Sequence, residues 1–319
     1  MFKALVKFTI APVLLSAAVA VPAAQLSTDA RSAIPRDVQQ LVVIDYRAME
    51  NSPAAMDLRN RVMPPELKQL EEALQKSGLN DNHDVDQLAF ALFRGPDAKE
   101  GDNLSTVGIA QGQFGEQDIL ANFKKQKLTA AVLRTNRIYP LTKSGMVLCF
   151  VDPSTMIFGQ KESVTKALDA RDGIKPNLLA NGAMMGEMQT VDSSPLWSIL
   201  DEKGTQTMMK QLLGEAGSVT DFESVKERMQ GSWYTMDFQH GVRFDLTLST
   251  GDAFTAATLS SLMTAAIMVR KLSGSDAEKL ALGDTSIAST AGQLTVHFAS
   301  TDSQFSSLLQ SPLFQSMVH

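Results

Sequence analysis

The sequence predicts an α+β protein: an internal duplication of a ferredoxin-like unit, with antiparallel sheets and helices packed on one face. Three observations predict it. Short runs with strand period alternate with stretches that carry apolar residues at helical spacing. Polar, glycine-containing turns of hairpin length join successive strands. The order strand, helix, strand, strand, helix, strand is then read twice, over residues 24–178 and again over 179–319.

The chain opens on a leader, residues 1–23. Lys3 and Lys7 precede an apolar run, and small residues follow at Ala20, Ala23 and Ala24, the layout of a secretory signal peptide. The run is shorter than the roughly 20 residues of a spanning helix. The expectation is export to the periplasm or the extracellular space, with no membrane span left after removal of the leader. Cys149 is the only cysteine, which excludes an intramolecular disulfide, and its setting in "MVLCFV" reads as a buried, inert thiol. The formal net charge is −6, and loss of Lys3 and Lys7 makes it more negative. An acidic chain with no long basic run is a poor nucleic-acid binder and a poor candidate for anionic membrane surfaces.

The elements follow in order. "QQLVVIDY" reads as a buried strand. Ser52-Pro53 then opens a helix, because serine accepts from free amides at an N-cap and proline suits the first turn. Pro64-Pro65 breaks and restarts that helix, and Leu67, Leu70 and Leu74 carry its apolar stripe to Gly78. Strands are expected over 86–93 and 105–114, a helix over 115–125, strands over 137–142, 145–151 and 155–159, and a helix over 161–173.

In the second half, "GAMMGEMQTV" takes the place of the first strand and Ser194-Pro195 opens a helix. A hairpin turns at Gln239-His240-Gly241, with Val242, Phe244, Leu246 and Leu248 alternating against Arg243, Asp245 and Thr247. The uncharged stretch 253–269 reads as a helix buried against the sheet through Leu259, Leu262, Met263, Ala266 and Ile267. A hairpin over 285–299 and a helix over 301–311 close the chain. A shift of 142 residues brings Ser52, Pro53, Leu58, Lys68, Gln69 and Leu70 onto Ser194, Pro195, Leu200, Lys210, Gln211 and Leu212. That register is the main sequence argument for duplication.

The chemical motifs are weak. Ser163 and Lys166 fit S-x-x-K, and Lys143-Ser144-Gly145 resembles K-T-G, but the two stand in the wrong order for penicillin-recognising enzymes. His83, His240, His297 and His319 make no zinc spacing. "NDNHDVD" alternates Asn80, Asn82, Asp84 and Asp86 like hard-cation ligands, yet Val85 and Ala91 stand where a calcium loop needs Gly and Glu. Met184, Met185, Met188, Met208 and Met209 suit a core better than a copper site. No catalytic, cofactor-binding or metal residue is therefore assigned, and no cofactor is expected.

The leader, the two α+β halves and the recurring strand, Ser-Pro, helix order together resemble a class of uncharacterised exported bacterial proteins. That resemblance implies export and duplication and carries no active site. The expected function is a non-enzymatic binding or envelope-associated module. Its partner would be a protein or an apolar small molecule, held in the groove between the repeats or on an exposed sheet face. The alternative is a secreted enzyme, a hydrolase of unknown class.

Overall fold

The computed structural model describes residues 25–79, 81–94, 104–213, 222–312 and 314. The leader, residues 1–23, and Asn80 lie outside them.

The architecture is α+β, and among the described residues every strand belongs to one antiparallel sheet. In chain order the strands are β1 (Gln40–Asp45), β2 (Val85–Phe93), β3 (Ser105–Gly112), β4 (Ala131–Leu133), β5 (Asn136–Pro140), β6 (Met146–Asp152), β7 (Thr155–Gln160), β8 (Leu196–Leu200), β9 (Met229–Asp237), β10 (Val242–Thr250), β11 (Thr285–Thr290) and β12 (Gln293–Ser300). Across the sheet they stand β11-β12-β10-β9-β8-β1-β2-β3-β7-β6-β5-β4. The described pairings are all antiparallel. At the centre β1 meets β8, with Val42 opposite Ser198.

This order differs from the ferredoxin-like expectation. In that unit a helix links two parallel strands, and a third strand is inserted between them. Here β1 pairs directly with β2, antiparallel, although several helices connect them. The first strand of each half lies beside the first strand of the other, so the two halves share one sheet.

The helices are α1 (Thr28–Ser32), α2 (Tyr46–Glu50), α3 (Pro53–Val62), α4 (Pro65–Lys76), α5 (Asp81–Asp84), α6 (Glu116–Lys125), α7 (Lys161–Arg171), α8 (Gly182–Val191), α9 (Glu202–Leu213), α10 (Phe222–Lys226), α11 (Ala253–Ser273), α12 (Asp276–Ala281) and α13 (Asp302–Leu309). They cover both faces, not one. Strand alternation makes both faces apolar near the centre. Leu41, Val43, Ile109, Ile157, Trp197 and Ile199 pack under α1, α7 and α8 through Ala30, Val164, Leu168, Met184 and Met188. On the opposite face α4 and α6 bring Leu70, Leu74, Ile119 and Phe123 onto Leu148, Met156 and Phe158. Further along that face, α9 and α11 cover Leu246, Leu248, Leu294 and Val296, and α3 and α13 meet over Leu196, Val242 and Phe298. The reverse side of β10 carries the exposed Arg243 and Asp245.

Ser52 is the cap the sequence predicts: its hydroxyl accepts from the Ala55 amide at 3.2 Å. Ser194-Pro195 is not a helix start. It leads into β8, and the Pro195 carbonyl accepts from the Asp45 amide at 2.7 Å. Proline at a strand entrance gives up no ladder hydrogen bond. The preceding segment "GAMMGEMQTV" is helix α8, capped by Asn181, with Met184, Met188 and Val191 buried at helical spacing. The 142-residue register therefore matches a helix start with a strand start.

Helix α11 is also less buried than expected. Thr255, Ala256, Leu259, Leu262 and Met263 face the core. Phe254, Met268, Val269 and Leu272 are 73%, 62%, 58% and 83% exposed.

Candidate apolar site

The Pro64-Pro65 break turns the chain between α3 and α4 and lays α4 across the sheet. Pro65 suits the first helical turn because its missing N–H has no partner to lose. The stripe Leu67, Leu70 and Leu74 then faces β2, β3 and β7. Between helix and sheet lies a cavity of about 80 Å³, with Tyr46, Leu88, Phe90, Ala110, Met156 and Phe158 among its other walls.

Its floor depends on a glycine. A Cβ on Gly108 would stand 2.1 Å from the Phe158 ring, so only glycine there lets that ring lie against β3. Phe90 meets Phe158 edge to face, at 6.0 Å between ring centres, a favoured aromatic arrangement. The rim is charged. The Arg59 guanidinium donates to the Glu71 carboxylate at 2.6 Å, with the two side chains 17% and 24% exposed. The same guanidinium lies 5.4 Å from the centre of the Tyr46 ring. A carbon-lined space with one cation-bearing rim suits a short apolar group attached to a polar head.

The cavity is walled by residues of the first half alone, whereas the sequence reading looked to the seam between halves. At that seam β1 and β8 are hydrogen-bonded neighbours. Leu67, Leu70 and Leu74 were legible as a stripe. Arg59 and Glu71 were not singled out; the available signal was a pair of opposite charges flanking a double-proline corner.

A second cluster lies near the seam on the other face. Burial pushes the Glu187 carboxyl on α8 up to about 7, and the nearby Asp201 charge adds to it. Burial also raises Asp201, against the Gly204 amide that donates to it at 2.7 Å. Glu187 Oε2 is buried with no hydrogen-bond partner, and Gly231 leaves the room its Oε1 occupies. This pair was missed because α8 was read as a strand.

The other sequence candidates are engaged in structure. Lys166 donates to Asp37 at 2.7 Å and lies 4.0 Å from the Phe93 ring centre, while Ser163 is buried in α7. His83 contacts Asp84, and His297 contacts Asp245 at 2.6 Å on the exposed sheet face. His240 sits in the β9–β10 turn, as read. Cys149 is buried, and burial raises its thiol pKa. Met184, Met188 and Met209 lie in core clusters. Among the described residues no cluster of His, Cys, Asp and Glu could hold a metal.

The geometry defines a class first: an α+β protein on one continuous antiparallel sheet with helices on both faces. No family model and no curated protein matches the chain. Among solved structures it is similar to TP0453. Crystal form I gives a TM-score of 0.54 at 10% identity, covering 92% of this chain and 99% of that one. Crystal form III gives 0.52 at 8%, covering 88% and 96%. At such identity the likeness is one of fold.

Proposed function

We propose that the protein is an exported, non-enzymatic binding module that takes an apolar chain end into the cavity beneath α4. The observation that supports this is the cavity itself: carbon-lined, with its one charged pair at the rim. About 80 Å³ is far below the 300–1,000 Å³ of sites that enclose a whole small molecule. It suits a few methylene groups, with the remainder of the ligand outside near Arg59. Export rests on the leader read in the sequence.

We also infer an ancient duplication, at a register other than 142. Outward from the centre the order is β1-β2-β3-β7-β6-β5-β4 on one side and β8-β9-β10-β12-β11 on the other, so the first five positions of each side correspond. The antiparallel β1–β8 pair is what a two-fold axis through the sheet would produce, passing near Val42 and Ser198.

The hydrolase alternative has one observation in its favour, the carboxyl pair Glu187 and Asp201. Asp201 is already occupied, accepting from the Gly204 amide as it caps α9, which leaves a single free acid and favours binding over catalysis.

Isothermal titration with hexanoate, a short apolar chain on an anionic head, tests the reading. The folded protein is expected to bind it, and Ala110→Phe, which fills the cavity from β3, is expected to weaken binding at least tenfold. Equal binding by a folded Ala110→Phe variant overturns the proposal.

A further inference from the structure

The cavity beneath α4 exists because β3 carries almost no side chains there. Residues opposite one another on antiparallel strands share a face of the sheet. The register therefore sets two rows under α4. One is Phe90, Gly108 and Phe158, and the other is Leu88, Ala110 and Met156. Each row has a large side chain on β2, a small one or none on β3, and a large one on β7. Leu67, Leu70 and Leu74 of α4 roof the gap.

The two rows differ in their distance from the rim. Ile44 stands opposite Leu88 and Val42 opposite Phe90, and Tyr46 of the rim follows Ile44 by two residues. The Leu88 row is therefore nearer the rim and the Phe90 row is farther in. Two residues along a strand span about 7 Å, which is the step between the rows. In the farther row the small residue is Gly108, and the Phe158 ring takes the space its side chain would need. Phe90 meets that ring edge to face from the other side of Gly108. The two rings close the inner end of the cavity.

Phe158 is the boundary between the cavity and the core behind it. Leu148 of β6 lies opposite Phe158, Tyr139 of β5 lies opposite Leu148, and Phe123 of α6 packs on Tyr139 at 5.1 Å between ring centres. All four side chains belong to one apolar cluster. Of the four, Phe158 alone lines the cavity. A chain that enters beside Arg59 passes over Ala110 and then meets the ring.

We propose that Phe158 sets the length of the apolar chain the cavity accepts, its ring, held over Gly108, stopping the chain's terminal methyl group. This rests on the binding proposed above and adds a selectivity to it. Each methylene buried before the ring raises affinity about fourfold. A methylene added after the end has reached the ring stays outside and adds little. Shortening the side chain at 158 uncovers Gly108 and lengthens the space by part of one row.

The test is isothermal titration of the protein purified from its host with the straight-chain acids from propanoate to decanoate. Wild-type affinity is expected to rise about fourfold per methylene up to one chain length and then to level off. Phe158→Leu, with its circular dichroism unchanged, is expected to move that break to a longer chain. Phe158→Ile serves as a second variant and is expected to do the same. Phe123→Leu makes the same replacement in the same cluster but away from the cavity, and is expected to leave the break in place. An unmoved break in the folded Phe158 variants overturns the inference. So does an equal move in Phe123→Leu, or a wild-type affinity that climbs with no break. Each of these results leaves the binding reading standing, whereas a wild type that binds none of the acids overturns both.

Discussion

Replacing Glu187 by glutamine should flatten the dependence of stability on pH. Burial, aided by the Asp201 charge, raises the Glu187 carboxyl from 4.5 to about 7. In the unfolded chain it titrates near its ordinary value. Between these pH values the folded state holds a proton that the unfolded state has released, so stability falls as pH rises through that window. Below it both states are protonated, and above it both are ionised and the loss is complete. The full shift corresponds to roughly 3 kcal/mol at about 1.4 kcal/mol per pH unit. Glu187 is only half-buried, and solvent screens the effect, leaving on the order of 1–2 kcal/mol. Glutamine keeps the shape of the protonated acid and never ionises. In urea titrations, Glu187→Gln should match the wild type at pH 4.5 and exceed it by that amount at pH 8. Parallel pH profiles for the two proteins would refute the burial argument.

Other substitutions probe the fold and the cavity. Ser52→Ala removes a helix cap and should cost about 1 kcal/mol, whereas Ser194→Ala, at a strand entrance, should stay within about 0.5 kcal/mol; equal losses in denaturant titration would contradict the corrected assignment. Gly108→Ala drives a methyl into the Phe158 ring and should cost about 1–3 kcal/mol, seen as a lower melting temperature. Cys149 should resist a thiol reagent until the protein unfolds, and labelling of the native protein at the rate of a free thiol would show its strand to be open.

Local patterning carried most of the strand assignments. Alternation in Val242 to Leu248 and the apolar run Leu41 to Ile44 both mark strands that form where expected. Two segments went astray for physical reasons. Gly182, Gly186 and three methionines gave α8 a weak helical signature, and the supposed repeat outweighed the spacing of Met184, Met188 and Val191. Ser-Pro opens either element, because both lack an internal partner for the first amide. The joining of β1 and β8 into one sheet is a long-range pairing that no local pattern announces, and the helices on both faces depend on which way each connection packs back on the sheet. The rim pair Arg59–Glu71 depends on the angle of the Pro64-Pro65 corner, and the carboxyl pair on α8 being a helix. The amphipathic half of α11 was legible, but an uncharged face reads the same in sequence whether it is covered or bare.

The central claim is that the cavity beneath α4 holds an apolar group. Native mass spectrometry of protein purified from its own host tests it most directly. The account predicts a retained adduct on the wild type that is absent from Ala110→Phe. A clean mass for the wild type, with no adduct under conditions that preserve the fold, would contradict it.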